Sequence, residues 1–211
     1  MGNNALGAIV TLLRDLDTRH EFESFLDEGS IKKLQESSSE KREKTLSFLA
    51  EFGHLKGIVD KLKAVIKEAK KGDLTYRDLR QPIQERAKIP PEELLEIYKL
   101  AHTLFSEKRF AEAADVAVLL SSISPHISAF WRLAGSCYAH LGDEKAALGP
   151  FLYASMVNSL EVDNHLEALS CLIKLGLTQE ALNYYNSAKE VLSEARKWDE
   201  IKKLDLIITK I

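Results

Sequence analysis

The chain has 211 residues, 45% hydrophobic and 29% charged, so it can bury a core and is too apolar to stay disordered. Its 29 basic and 32 acidic residues leave a net charge of -3, which argues against nucleic acid as a partner, since that footprint needs a concentrated basic excess. Ten glycines and five prolines are few breakers, and two cysteines exclude a disulfide scaffold; an all-helical protein is expected.

The first element is expected from Asn4 to about Leu26, with Leu6, Ile9, Val10, Leu13 and Leu16 at helical spacing. Its apolar run Gly7 to Leu13 has no basic residue before it and makes a poor signal peptide. Leu6 stands where a myristoylation signal wants Ser or Thr. No run approaches the roughly 18 residues of a membrane span, so a cytoplasmic protein without direct membrane insertion is expected. Glu28 to Ser39 is polar and reads as a loop, with Ser37 and Glu40 at capping-box spacing. A helix is then expected from about Glu40 to Lys71, bent or broken at Gly53 or Gly57 and stopped by Gly72. A short helix follows from Thr75 to about Glu85. Residues 1–73 thus read as an N-terminal helical extension. Either they pack on a neighbouring core or they form a partner-docking or dimerisation arm.

Pro90-Pro91-Glu92-Glu93 reads as a helix start, because proline fits the first turn and the glutamates favour the positive end of the helix dipole. From here the sequence repeats every 34 residues. Ala113, Ala147 and Ala181 keep that interval, as do Lys108, Gly142 and Gly176, and Leu104, Tyr138 and Leu172. This is the tetratricopeptide pattern of stacked helix pairs. Three ungapped units are expected at 94–127, 128–161 and 162–195, within a domain of residues 74–211 that ends in a capping helix at 196–211. The expected fold is all-α, three repeats in a right-handed superhelix. Ala101 and Gly135 are small at the crossing of each pair, where unit three carries Leu169. Phe110, Phe151 and Tyr185 are read as gap fillers between helices. Pro150 removes a donor inside a helix, and a kink is expected there. Trp198, Ile201, Leu204, Ile208 and Ile211 form the stripe by which the last helix covers unit three.

No enzyme site is legible. The histidines at 20, 54, 102, 126, 140 and 165 show no metal spacing, and no Gly-rich loop follows a strand, so neither metal nor other cofactor is expected. Cys137 and Cys171 fall on equivalent places of successive helices. Such neighbours lie about 8–10 Å apart, beyond the roughly 6 Å of a disulfide, so they read as buried core thiols.

The first helices of the pairs line the concave side of such a stack. The second, fifth, ninth and twelfth places of each unit face the groove. Unit one offers Leu95, Tyr98, His102 and Phe105; unit two Ala129, Arg132, Ser136 and Ala139; unit three Asp163, Leu166, Ser170 and Ile173. The first set is apolar and aromatic. Such residues either form a binding surface or lie under the N-terminal helices. A carboxylate clamp is disfavoured, since Asp163 and Glu167 would repel a carboxylate.

The stretch Leu95-Glu96-Ile97-Tyr98-Lys99-Leu100-Ala101-His102-Thr103-Leu104-Phe105, then Lys108-Arg109-Phe110-Ala111-Glu112-Ala113, resembles the first repeat of the class II type III secretion chaperones. Phe130 to Tyr138 with Gly142-Asp143, and the short helix Leu74 to Ile89 before Pro-Pro-Glu-Glu, continue the likeness over roughly three-fifths of the chain. The resemblance implies a cytoplasmic, non-enzymatic chaperone of protein transport in a Gram-negative bacterium. Its client would be a secreted hydrophobic translocator protein, kept soluble by holding an extended segment in the groove. Tyr98, His102 and Phe105 match the family's aromatic groove positions, with histidine where a larger aromatic is more usual. A segment of 73 residues is longer than the family's arm and is a candidate for a homodimer contact, a second docking site or a cover. Other readings left open are a scaffold or adaptor in an assembly and a chaperone of a secretion needle subunit.

Overall fold

A computed structural model of the chain describes residues 28–70 and 82–209. The helix expected from Asn4 to Leu26, the Thr75 end of the short helix, and Ile211 lie outside the described residues. Helix α1 is Glu28–Ala50; a 3-10 turn at Gly53–Leu55 joins it to α2, Lys56–Lys70. After the single turn α3, Ile83–Arg86, three helix pairs follow: α4 (Pro91–Ser106) with α5 (Phe110–Ile123), α6 (Ser128–His140) with α7 (Glu144–Val157), and α8 (Val162–Lys174) with α9 (Thr178–Glu194). Helix α10, Trp198–Ile208, closes the order, and the described residues contain no strand.

The 34-residue interval has a backbone cause. Lys108, Gly142 and Gly176 all lie in the left-handed region, at φ 61°, 77° and 70°. In each turn the next residue donates five residues back: Arg109 to Leu104, Asp143 to Tyr138 and Leu177 to Leu172, at 2.9, 3.0 and 3.0 Å. This is the Schellman closure, which satisfies carbonyls left open at a helix end and reverses the chain. Lys88 and Arg196 repeat it at φ 51° and 58°. The pairs themselves close on small residues. Ala101, Ala113, Ala147 and Ala181 are fully buried. A Cβ on Gly135 would stand 2.8 Å from the Phe151 ring, so α6 and α7 touch only because the side chain is missing. Leu169, at the same place in the third pair, is buried as well.

The N-terminal helices share the core of the first pair. Leu46, Leu49, Leu55, Val59 and Leu62 belong to one buried cluster with Leu94, Ile97, Leu104 and Leu120. Lys61 donates to both carboxylate oxygens of Glu93 at 2.9 Å, fixing α2 against the first turn of α4. Pro91 occupies the first position of that turn, as expected. A second cluster spans α7 to α10, and Tyr138 packs against both. Inside the second cluster His165 lies between the Ser159 carbonyl and the Tyr184 hydroxyl, each at 2.9 Å. Tyr184 also lies 2.9 Å from Ser155 Oγ.

Two expectations are corrected. Glu28 to Ser39 is not a loop but the first half of α1, and Ser37 to Ser39 sit inside the helix. Serine costs only a few tenths of a kcal/mol per residue in a helix interior, and the flanking Lys, Gln and Glu are good formers. Once Leu46 and Leu49 anchor the buried half, extension toward the N-terminus needs no new nucleus. The helix expected from Glu40 to Lys71 is interrupted beside Gly53, as its glycines suggested: Phe52 is extended and the 3-10 turn Gly53–Leu55 follows. Trp198 is 60% exposed and does not join the stripe of α10, where Ile201 and Leu204 are buried and Ile208 half-buried. At about 100° per residue, 201, 204 and 208 fall together, while 198 lies roughly 90° round the helix. Helix α7 runs unbroken through Pro150.

Candidate functional site

Helix α4 shows two faces. Leu94, Ile97, Ala101 and Leu104 are buried in the core. Leu95, Tyr98, His102 and Phe105, spaced three, four and three, share the adjoining face. Leu95 is 48% exposed, His102 is exposed, and Tyr98 and Phe105 are half-buried. Helices α1 and α2 meet α5 and the first turn of α4, through Lys41 with Asp115 and Lys61 with Glu93.

The row is joined across helices by ring contacts. Tyr98 meets His102 edge-on, with centroids 4.5 Å apart, and leans on Phe130 of α6 at 5.3 Å. Phe105 packs against Phe110 at 5.2 Å and His140 at 4.9 Å, and those two rings are 4.8 Å apart. Edge-to-face pairs hold aromatic rings in fixed orientations, so the face is pre-shaped. His140 donates from Nδ1 to the Ser136 carbonyl at 2.8 Å, which sets its tautomer, because a carbonyl can only accept.

Charge is arranged to leave this face neutral. Arg132 of α6 is half-buried and pairs with Glu161, and Asp163 lies 3.9 Å away. Burial, and then the Arg132 charge, hold the His102 imidazole below its usual range, favouring the neutral ring. Burial likewise raises the Tyr98 hydroxyl. Farther along, Leu166 and Ile173 of α8 are half-buried against the second cluster, and Ser136 and Ser170 are half-buried between the apolar places. Ala129 and Ala139 are half-buried and Asp163 is exposed. The surface thus runs from an aromatic end on α4 to an aliphatic and hydroxyl end on α8.

Reading the frame position by position missed Phe130, His140 and Glu161, and took Phe110 as a filler. A groove is made by side chains leaning in from adjacent helices and turns, not by four fixed places per helix. The crowding of aromatic residues at 98, 105, 110 and 130 was the available signal.

The remaining chemistry is structural. Cys137 and Cys171 are buried and unpaired, and burial pushes each thiol up to about 12. Among the described residues no group of three or more His, Cys, Asp or Glu could hold a metal ion, and no helix is long and apolar enough to cross a membrane.

Neither a protein-family model nor a curated protein matches the chain in sequence. Solved structures do match it. One is the type III secretion translocator chaperone SycD of Yersinia enterocolitica, 20% identical, covering 62% of this chain and 98% of SycD at a TM-score of 0.54. The same chaperone in complex with a peptide of the translocator YopD matches at 20% identity over 58% and 94% of the two chains, TM-score 0.50. PcrH of Pseudomonas aeruginosa, in complex with the chaperone binding region of PopB, matches at 17% identity over 56% and 97%, TM-score 0.50. The chain therefore shares the helical, tetratricopeptide-like fold of the type III secretion translocator chaperones.

Proposed function

We propose that this protein is a type III secretion chaperone. It holds an extended segment of a secreted, translocator-type protein in the groove of α4, α6 and α8 and keeps that protein soluble in the cytoplasm before export. The observation that carries the reading is the exposed and half-buried row Leu95, Tyr98, His102 and Phe105, preorganised by rings from α5 and α6. Apolar surface left open in this way marks an interaction site. The fold adds support, since structures that share it include chaperones in complex with translocator peptides.

An extended segment suits the surface. Its alternate side chains enter the spaces between rings, while its backbone stays partly hydrated and finds Ser136 and Ser170 as hydroxyl partners. Arg132, already balanced by Glu161 and Asp163, positions the segment without demanding an acidic client. No chemical step is required of any residue, and release falls to the export machinery. On this reading residues 74–211 form the repeat domain and residues 1–73 are an N-terminal extension, whose helices α1 and α2 complete its first edge.

The test is co-purification from the native cell with mass spectrometry of what remains bound. A membrane-inserting secreted protein should be recovered near one-to-one with the wild type and lost from the double variant Tyr98→Ala/Phe105→Ala, with helical content nearly unchanged by circular dichroism. Retention of the client by a folded double variant would sink the reading. Unfolding of that variant would instead place both rings in the core.

A further inference from the structure

The charges of the groove do not cancel across its width. At the α4 end the row Leu95, Tyr98, His102 and Phe105 carries no formal charge, since the His102 imidazole is held below its usual range. Lys99, on the same helix, is engaged with Glu96 at 2.8 Å. At the other end one guanidinium faces two carboxylates. Arg132 Nη1 donates to one oxygen of Glu161, and Asn158 Nδ2 donates to the other at 3.2 Å. Asp163 stands 3.9 Å from the same Nη1, too far for a hydrogen bond, and accepts none among the described residues. Its side chain is 63% exposed. Glu167, one turn on, is exposed as well, and the next cation along α8, Lys174, is taken up by Glu144 at 2.7 Å. Glu161 is thus spent on Arg132, while the charge of Asp163 is left over on the face of α8 that carries Leu166 and Ser170. Asp163 lies in the first turn of α8, where a carboxylate complements the helix dipole. That role asks for the charge but not for a partner, and it leaves both oxygens open to one.

We infer that the groove selects client segments that carry a lysine or arginine beside their apolar anchors, and that Asp163 is the residue that reads it. This rests on the reading of that groove as a peptide site, and adds to it a preference among segments. Adjacent helices lie about 8–10 Å apart and an extended chain advances about 3.3 Å per residue, so the cation falls about four to six residues from the side chains held by Tyr98 and Phe105. An aspartate or glutamate at that place would meet like charge, so the same carboxylate discriminates against acidic segments. Because Asp163 is exposed, the attraction is worth only about two- to fivefold in affinity, most of it at low salt.

Random dodecapeptides displayed on phage and selected on the full-length protein test this without a known client. Peptides taken by the wild type should carry apolar or aromatic anchors with Lys or Arg enriched at that spacing. Asp163→Lys should take the same anchors with Asp or Glu enriched there instead. Asp163→Asn/Glu167→Gln, which keeps the side-chain shapes, should take the anchors with no charge bias, and Asp163→Glu should restore the basic one. A wild-type peptide resynthesised with fluorescein should bind about two- to fivefold more weakly once its Lys or Arg becomes Gln, and that loss should disappear in Asp163→Asn and in high salt. Anchors selected by the wild type without basic enrichment overturn the inference and leave the groove standing as a peptide site. So does basic enrichment unchanged in both charge variants, which confines Asp163 to its helix end. Selection that persists in Tyr98→Ala/Phe105→Ala, or an empty selection on the wild type, overturns the inference together with the groove reading.

Discussion

The two ends of the helical stack are closed in different ways. At the first end α1, the 3-10 turn and α2 bury Leu46, Leu49, Leu55, Val59 and Leu62 in the same cluster as the first helix pair. At the other end α10 buries only Ile201 and Leu204, while Trp198 and Leu206 are 60% and 70% exposed. A stacked-repeat fold needs its terminal apolar faces covered, but the cover can be part of the core or laid on top of it. Here the first cover adds two helices and a turn to one cluster, and the last adds a single helix whose Ile201 and Leu204 join the other cluster, with Ile207 and Ile208 packed against it. The groove's aromatic row lies beside the first cover, so the more deeply built end is also the end that shapes the candidate site.

The largest effect should come from cutting into the first cover. Leu49→Ala removes a fully buried side chain and should cost about 2–5 kcal/mol, lowering the single melting transition of the whole molecule. Leu204→Ala is the matched change at the other end, also fully buried. It should cost toward the lower limit and open α10 locally, because a terminal helix can fray without unmaking the rest. Amide exchange separates the two: global loss of protection for Leu49→Ala, loss confined to 198–208 for Leu204→Ala. If Leu204→Ala melts the entire chain, the two covers are equivalent and the contrast fails.

Between the ends the stack is joined where α6 meets α7. Gly135→Ala would place a Cβ 2.8 Å from the Phe151 ring, and Phe151 is fully buried with little room to turn. Overpacking of this kind costs about 1–3 kcal/mol. Denaturant unfolding should show it, and Gly149→Ala, whose added Cβ meets nothing within 4 Å, is the control expected to be neutral or stabilising.

Acid should separate the halves in a milder way. Burial holds the His165 imidazole below its usual range, with the Ser159 carbonyl bond opposing only part of the effect. The unfolded chain then takes up a proton at a higher pH than the folded one. Stability from this group is complete above the ordinary histidine value near 6.5 and is lost as pH falls from there toward the depressed folded value. The region around α8 and α9 should therefore lose exchange protection first between about pH 7 and 5. His165→Gln should flatten that slope whatever it does to absolute stability. An unchanged slope would assign the acid response elsewhere.

Much of this architecture was legible because the constraint was local and repeated. Ala113, Ala147 and Ala181 can be read from spacing since each answers to one steric condition, and Gly142 and Gly176 because each answers to one backbone angle. The first edge was not legible, because Ser37, Ser38 and Ser39 look like loop residues until Leu46 and Leu49 are known to be anchored in a neighbouring pair. Trp198 misled for the opposite reason: it fits a stripe by spacing yet lies off its angular centre. The groove was half legible. Leu95, Tyr98, His102 and Phe105 share one helix and one period, whereas Phe130 and His140 enter from another helix, and their meeting is a property of packing between elements.

The smallest expected effect returns to the two ends through one turn geometry. Lys108 and Arg196 hold left-handed backbone angles that glycine holds at the equivalent places 142 and 176. A side chain with a Cβ pays about 1–2 kcal/mol for that region. Glycine removes the strain but gives back part of the gain through its freer unfolded chain, so each replacement should net about 0.5–1 kcal/mol of stabilisation. The same arithmetic should read out differently at the two places. Lys108→Gly lies in the exposed turn between α4 and α5, whose two helices both contribute to the first cluster, and should raise the global melting temperature. Arg196→Gly lies between α9 and α10 and should mainly raise exchange protection in α10, because it stabilises the attachment of a cover rather than the body beneath. Equal global shifts from both would mean that α10 unfolds with the stack, and that its sparse burial is enough to make it part of the cooperative unit.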